Sequence, residues 1–566
     1  MDRHTDVLRV PGPEGAGIDL LGAPPTTPEH RPVDHVTQLE VMNQGAPPPA
    51  VVRDVTREQI RGSSLLLAGR MLAITTNLVA QVLIVRYLST ADYGAWAYAL
   101  SVVALLQGFA PFGLDRATSR FVPIYQERKE YDKALGTILL VVGTILAVSL
   151  VTIAAFFLIP DQLARLVKGE NESLALLFIA IFLVPVEALD ALLIDLFACF
   201  GHPRAIFFRR YVLAPGLKLA VVLLLILFQS GVRLLAYGYL VASALGVLVY
   251  GWVLLRAWRR QGLLEQWRQS GIRVPAREVF SFSIPLLTSD LVNVVMHSSA
   301  ALLLGYFHGM TEVAFFRVVL PLAVHNRLVM NSFSTLYKPA AARLFARENQ
   351  AELNRLYWQS AAWIAVLSFP IFAATFSLAR PLTTSLYGAR YESSSVILAV
   401  LALGYYFDAA LGNNGLTLKV MGKVRYVLTI NVLICLITVG IHLLLIPRFG
   451  ALGAGVGTAA ALVAYNVLKQ AGLRLATGIS LFERNYVSFY LTIAIGAGVL
   501  LIVSFFSPTS LLAIAVMVGL VSLLVAVLCR KNLRIQETFP EITRLPVMRL
   551  LFTGSPASER TSACST

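Results

Sequence analysis

The sequence predicts an all-α polytopic membrane protein of about fourteen transmembrane helices with a duplicated interior. Of its 566 residues 57% are hydrophobic and 14% charged, where soluble chains carry about a quarter charged residues, and the mean hydropathy is +0.70. Past residue 58, apolar stretches of spanning length follow one another with short polar connections, as repeated crossing of a bilayer requires. Inside them a polar pattern recurs at a fixed offset, which points to two like halves.

Residues 1–58 are rich in Pro, Gly and polar residues (PGPEGAG, GAPPTTPEH, GAPPPA). Such a segment cannot bury a core and is expected to be a disordered cytoplasmic tail. It shows no basic region followed by an apolar run and a small-residue cleavage site, so no cleaved signal peptide is expected. The apolar stretches run over 63–88, 93–115, 134–158, 174–200, 210–229, 234–256, 279–304, 313–336, 357–378, 394–412, 426–446, 452–473, 486–506 and 509–529; polar residues interrupt 313–336 and 394–412. The first six form an N-terminal unit over 59–256. Residues 257–278 (AWRRQGLLEQWRQSGIRVPARE) alternate Trp and Leu with Arg, as an amphipathic linker lying on the membrane surface does. A second six-helix unit covers 279–474. A helix pair over 475–530 is appended without counterpart, and 531–566 reads as a second cytoplasmic tail.

Orientation follows from the basic residues. Thirty Lys and Arg fall at the membrane ends and loops on the N-terminal side, and seven on the opposite side. Both termini are therefore expected in the cytoplasm and the chain in the cytoplasmic (inner) membrane. The net charge of +15 is spread over these loops rather than gathered on one basic domain, which argues against nucleic acid as a partner. Cys199, Cys435, Cys529 and Cys564 stand far apart without metal-ligand spacing, so no metal site is expected.

The first stretch (SSLLLAGRMLAITTNLVAQVLIVRYL) carries Ser63, Arg70, Asn77 and Gln81 on one helical face. Ser283, Asp290 and His297 repeat the first three positions 220 residues later, with Asn293 on the same face. An ionisable group at membrane depth costs several kcal/mol unless it meets water, a partner or a substrate. The face lines either a wet cavity or an interhelical polar seam. Segments Arg116–Lys133 and Lys338–Arg355, with matching Pro123 and Pro339, extend the repeat.

With Arg86, Arg209, Arg210, Arg256 and Lys469 counted at the membrane ends, four cations remain inside the predicted spans: Arg70, Lys218, Arg317 and Arg327. Arg317 either faces the interior or snorkels to the outer surface, and Arg327 and Lys218 either serve the cavity or pair with carboxylates. The fourth stretch brings Glu187, Asp190 and Asp195, the first two one turn apart. Carboxylates at this depth either exchange H⁺ or Na⁺ or form static salt bridges to Lys218 or Arg70. Asp290, at the repeat position of Arg70, would face it across a cavity as a gate. His297, Asp408, His325 and His442 complete the set, each more often a packing group than a ligand.

The segments RYLSTADYGAWAYALSV, GLDRATSRFVPIY, SLYGARYESSSVILAVLALGY and LLLIPRFGALGAGVGTAAALVAYNV, in that order and spacing, resemble the polysaccharide-transporter branch of the multidrug, oligosaccharidyl-lipid and polysaccharide exporter superfamily. The resemblance covers roughly residues 60–530. One departure is that Gly94 of DYG is matched by Ala314 in the second half (MTEVAFFRV), where the family keeps glycine.

The resemblance implies two six-helix bundles related by a pseudo-twofold axis along the membrane normal, around a central cavity. It implies alternating-access transfer of a polyprenyl-pyrophosphate-linked oligosaccharide, with no cofactor beyond a coupling H⁺ or Na⁺, and with membrane lipid and polysaccharide assembly proteins as partners. A cationic, hydrated cavity would shelter the diphosphate and glycan while the polyprenyl tail stays in lipid, and the planar fork of Arg suits a diphosphate. Arg70, Asn77, Lys218, Arg317 and Arg327 are the expected substrate ligands. Similar flippases of the peptidoglycan-precursor type place an arginine in the first helix and another in the eighth, positions that Arg70 and Arg317 fit. Glu187, Asp190, Asp195, Asp290 and His297 are the expected gating or coupling groups.

A peptidoglycan-precursor flippase and a cation-coupled multidrug exporter of the same superfamily remain as alternatives. Exporters tend to place an acidic ligand in the first helix, where this chain has Arg70. An enzyme such as a glycosyl polymerase is disfavoured: the outer connections 159–173 and 379–393 are short, and no nucleophile motif, metal cluster or phosphate-binding glycine loop occurs.

Overall fold

The computed structural model describes residues 69–166, 171–477, 487–506 and 511–533. Ser63, the N-terminal tail and residues 534–566 lie outside them. Every regular element among the described residues is helical, the arrangement by which an apolar chain satisfies its backbone polar groups without water.

The helices are α1 (69–87), α2 (Thr90–Phe109), α3 (Asp115–Glu127), α4 (Tyr131–Leu158), α5 (Asn171–Cys199), α6 (Pro203–Leu227), α7 (Val232–Arg260), α8 (Leu263–Ser270), α9 (Ala276–Phe307), α10 (Met310–Ala346), α11 (Gln350–Phe376), α12 (Ser394–Val420), α13 (Val424–Thr477), α14 (Val487–Phe506) and α15 (Leu511–Leu528). Helix occurs at each of the fourteen predicted stretches, and α13 covers two of them. Among the described residues, eight helices are long and apolar enough to cross a membrane by length and composition alone. In α9, Ser283, Asp290 and His297 interrupt the apolar run, and only its Val294–Phe307 part stands out as apolar.

α13 is two helices stacked across Gly450, whose φ of 55° and ψ of −134° lie outside the helical region. Pro447 removes a backbone donor just before the break. Glu312 of α10 accepts a hydrogen bond from the freed Ala451 N–H at 2.7 Å, so a carboxylate caps the second segment.

α2 packs along α10, and α9 against both α2 and α13. Small residues allow the approach. A Cβ on Gly94 would lie 1.8 Å from the Met310 carbonyl oxygen and 3.3 Å from the Ala314 Cβ, and one on Gly305 would meet the Tyr98 ring at 2.3 Å. Ser89 caps α2 by accepting from Asp92 N–H at 3.0 Å. At this end Arg86 Nε donates to the Leu386 carbonyl at 2.8 Å and its Nη2 to that of Ser385, while Arg390 donates to Val85 and, at 3.1 Å, to Arg86. The α1–α2 turn is thereby tied to the segment between α11 and α12. At the opposite end, the linker helix α8 packs on α4 and α7. The pair α14 and α15 rests on α11, where Phe369 and Phe372 meet Phe489 and Ile493 and Ser377 Oγ donates to the Ala497 carbonyl at 2.8 Å.

Candidate functional site: a cationic cavity and three ion pairs

A cavity of about 260 Å³ lies between α1, α2, α7 and α10, and Asn77, Gln81, Tyr93, Trp96, Tyr239 and Arg317 are among its lining. The polar stripe of α1 supplies Asn77 and Gln81, and Gln81 Nε2 is fixed by donating to the Val318 carbonyl at 2.9 Å. Trp96 and Tyr239 meet edge to face at 5.1 Å. Arg317 Nε donates to Ser101 Oγ at 3.0 Å and its Nη2 to the same oxygen; Ser101 in turn donates to the Ala97 carbonyl at 2.6 Å. The guanidinium thus turns inward toward α2 and does not snorkel, and its hydrogen-bond partner is a neutral hydroxyl.

The other cations beneath this cavity are neutralised. Lys218 Nζ lies 3.5 Å from Glu187 Oε1, which also accepts from Ser243 Oγ at 3.0 Å, and 5.6 Å from the centre of the Tyr239 ring that lines the cavity. Asp190, one turn on, pairs with Arg209. Arg209 is a correction to the sequence reading, which counts it at a membrane end just outside the stretch 210–229. α6 begins at Pro203 and passes through a π-helical turn at Phe208–Leu213, so Arg209 enters the bundle and is 3% exposed. Its guanidinium fills the space over Gly246, where a Cβ would come within 2.7 Å.

The third pair is in the second half. Arg327 Nε approaches Asp408 Oδ2 at 2.8 Å, Lys469 Nζ lies 3.9 Å from Asp408 Oδ1, and Asn466 Nδ2 donates to the same oxygen at 2.6 Å. Asn414 donates to Asn466 at 3.1 Å, and Lys469 also lies over the Tyr465 ring at 3.5 Å. Lys469, counted at a membrane end although it falls within the stretch 452–473, is buried instead, because α13 continues past it to Thr477. Asp408 is the hub of this network. The stripe Tyr465, Asn466, Lys469 and Gln470 at helical spacing was the signal that could have revealed it.

The remaining predicted residues are not brought to one place. Arg70 is half-buried at the start of the described part of α1, next to Gly69, which packs on Phe207 and Tyr211. It makes no ion pair among the described residues, and eleven residues of helix, about 16 Å, separate it from Gln81. Arg70 and Arg317 are therefore at different depths. The side chain of Asp290 lies outside the described residues, and with it the proposed pairing to Arg70. Asp195 lines a separate cavity of about 300 Å³ with Gln107 and Val294. His297 is solvent-accessible on α9 and lies in the field of both Arg317 and Arg327. His442 is a buried packing group between Ser299, at 3.1 Å, and Thr458, at 3.3 Å, and His325 bonds the Pro321 carbonyl. No metal-binding cluster occurs among the described residues.

Residues 60–337 match the family described as polysaccharide biosynthesis protein. The chain is similar to the capsular polysaccharide biosynthesis protein CapF of Staphylococcus aureus, at 24% identity over 180 residues, which is 31% of this chain and 45% of CapF; the chain thus spans about half the length of that relative. Among solved structures it is similar to the lipid II flippase MurJ in an inward closed conformation, with a TM-score of 0.64, 13% identity and 83% and 99% of the two chains covered. It is also similar to an inward-facing multidrug resistance MATE family transporter of the MOP superfamily, with a TM-score of 0.61, 15% identity and 73% and 98% covered. These two likenesses establish the fold. Motifs, family match and fold together make the chain a multi-pass membrane protein similar to the polysaccharide-transporter branch of the multidrug, oligosaccharidyl-lipid and polysaccharide exporter superfamily.

Proposed function

We propose that the protein is a flippase that carries a polyprenyl-pyrophosphate-linked oligosaccharide across the cytoplasmic membrane, with both termini in the cytoplasm. The observation that carries this reading is Arg317. Its guanidinium borders a cavity and bonds to Ser101, whereas Lys218, Arg209, Arg327 and Lys469 each face a carboxylate. A cation at this depth without a carboxylate partner among the described residues asks its ligand to bring the negative charge, and a diphosphate brings it in a form that the guanidinium fork can grip. Tyr93, Trp96 and Tyr239 supply aromatic faces, and Asn77 and Gln81 polar edges, to a glycan. The match to the polysaccharide biosynthesis family favours a polysaccharide repeat unit over a peptidoglycan precursor.

The same reading assigns coupling to H⁺ or Na⁺ to Glu187. Its pair with Lys218 is open to 3.5 Å and both side chains are partly exposed, so it can part during the cycle more easily than Asp190 can leave Arg209.

The test is translocation in vesicles loaded on one side with a short-chain polyprenyl-diphosphate oligosaccharide. Wild type should move it, and Arg317→Gln should not, at equal protein level in the membrane. Equal transport by Arg317→Gln, or transport of cationic dyes in place of the lipid-linked sugar, would reject the proposal.

A further inference from the structure

A further cavity lies away from Arg317, at the linker end. It is a groove of about 810 Å³ between α4, α5 and α7, closed from below by Leu264 of α8 and by Gly271 and Ile272. Its walls are hydrocarbon: Leu139, Leu192, Leu255 and Trp258 are representative, and Leu139 and Leu255 are exposed although apolar. A groove of this size holds a ligand rather than a few waters, and its lining offers almost no hydrogen bonds.

The rim is of opposite character. Arg259 and Arg260 follow Trp258 directly in the last turn of α7, and Arg273 follows Ile272 in the strap that returns to α9. All three are exposed, and none is in an ion pair with a described carboxylate. Between residues 256 and 277 the chain has six arginines and one acidic residue, Glu265. The strap is held in place by Arg273 N–H, which donates to the Asp132 carbonyl at 3.3 Å, and by Gly136, whose missing Cβ would lie 2.1 Å from the Arg273 carbonyl oxygen. Arg256 is engaged otherwise, 5.2 Å from the centre of the Trp252 ring.

We infer that this groove seats one anionic phospholipid of the leaflet on the linker side, with its acyl chains along α4, α5 and α7 and its phosphate among Arg259, Arg260 and Arg273. A hydrocarbon slot alone would accept any lipid; cations confined to its mouth select a negative headgroup. The lipid would also fasten the linker between the two predicted halves to the first of them. The inference does not depend on what the Arg317 cavity carries.

Gly251 provides the test, because it lines the groove and a Cβ there meets nothing within 4 Å. Gly251→Phe therefore projects a ring into the groove from a position where the added Cβ is unhindered. Full-length protein reconstituted in phosphatidylcholine with or without phosphatidylglycerol would be delipidated stepwise and its retained phospholipid weighed by native mass spectrometry. Wild type should keep one phosphatidylglycerol per chain, and Gly251→Phe should keep none. Replacing Arg259, Arg260 and Arg273 by Gln should lower the preference for phosphatidylglycerol by about fivefold for each arginine removed. Equal retention of both lipids by wild type, unchanged retention by Gly251→Phe, or displacement of the phospholipid by an added polyprenyl phosphate would each overturn the inference.

Discussion

Gly94 and Ala314, 220 residues apart in sequence, face each other where α2 meets α10, and the Met310 carbonyl occupies the space that a Gly94 side chain would need. The two positions that the repeat equates are thus neighbours in space. Gly94 must be glycine because of that carbonyl, whereas the Ala314 Cβ, 3.3 Å from where a Gly94 Cβ would lie, makes only a tight contact.

Gly94→Ala should therefore lower stability by about 1–3 kcal/mol or force α2 and α10 apart, whereas Ala314→Gly should be close to neutral apart from the helix propensity of glycine, about 1 kcal/mol. Thermal midpoints in one detergent compare the two.

Arg317 and Ser101 give a graded series. Arg317→Lys keeps the charge but loses the fork and should recover little transport. Ser101→Ala keeps the fork but removes its anchor, a hydrogen bond to a charged group worth about 1.5–3 kcal/mol. Its rate of substrate transfer should fall roughly ten- to a hundredfold while protein level holds.

The Arg327–Asp408 pair should behave as a buried ion pair does. Asp408→Asn leaves Arg327 and Lys469 without their common anion and should cost about 3–5 kcal/mol. Adding Arg327→Gln to Asp408→Asn should recover part of that loss, so the double variant should melt above the single one. A double variant that melts lower by the sum of both singles would show that the two do not interact.

Gly246→Leu should reproduce Arg209→Met. The guanidinium of Arg209 occupies the space beside Gly246, so a side chain there expels it and strands Asp190 at membrane depth. Both variants should lose stability, and adding Asp190→Asn should rescue each.

At the α1–α2 end, Arg86 and Arg390 donate to carbonyls on each other's segments. Replacing both by Gln removes hydrogen bonds worth roughly 0.5–1.5 kcal/mol each and should shift the population toward states open at this end. The check is a distance distribution between spin labels on the two segments, which should broaden to longer values.

Much of the fold was legible in the chain because hydropathy is local: a stretch such as Tyr131–Leu158 must be helical in hydrocarbon whatever it touches. The stripe of Asn77 and Gln81 was legible for the same reason, since helical period fixes which residues share a face. Arg209 and Lys469 were misread because their status depends on where a helix begins or ends, and Lys and Arg near a boundary look alike whether they snorkel out or turn in.

The sequence by itself determined the class of protein, the positions of its helices, the 220-residue repeat and the set of charges that had to be accommodated. Only the tertiary structure decided how those charges are matched: Asp190 with Arg209, Asp408 with Arg327 and Lys469, and Arg317 with a hydroxyl at the edge of a cavity. Pairing depends on distances of a few ångströms between helices far apart in the chain, and a one-dimensional period carries no information about which helix lies across the gap.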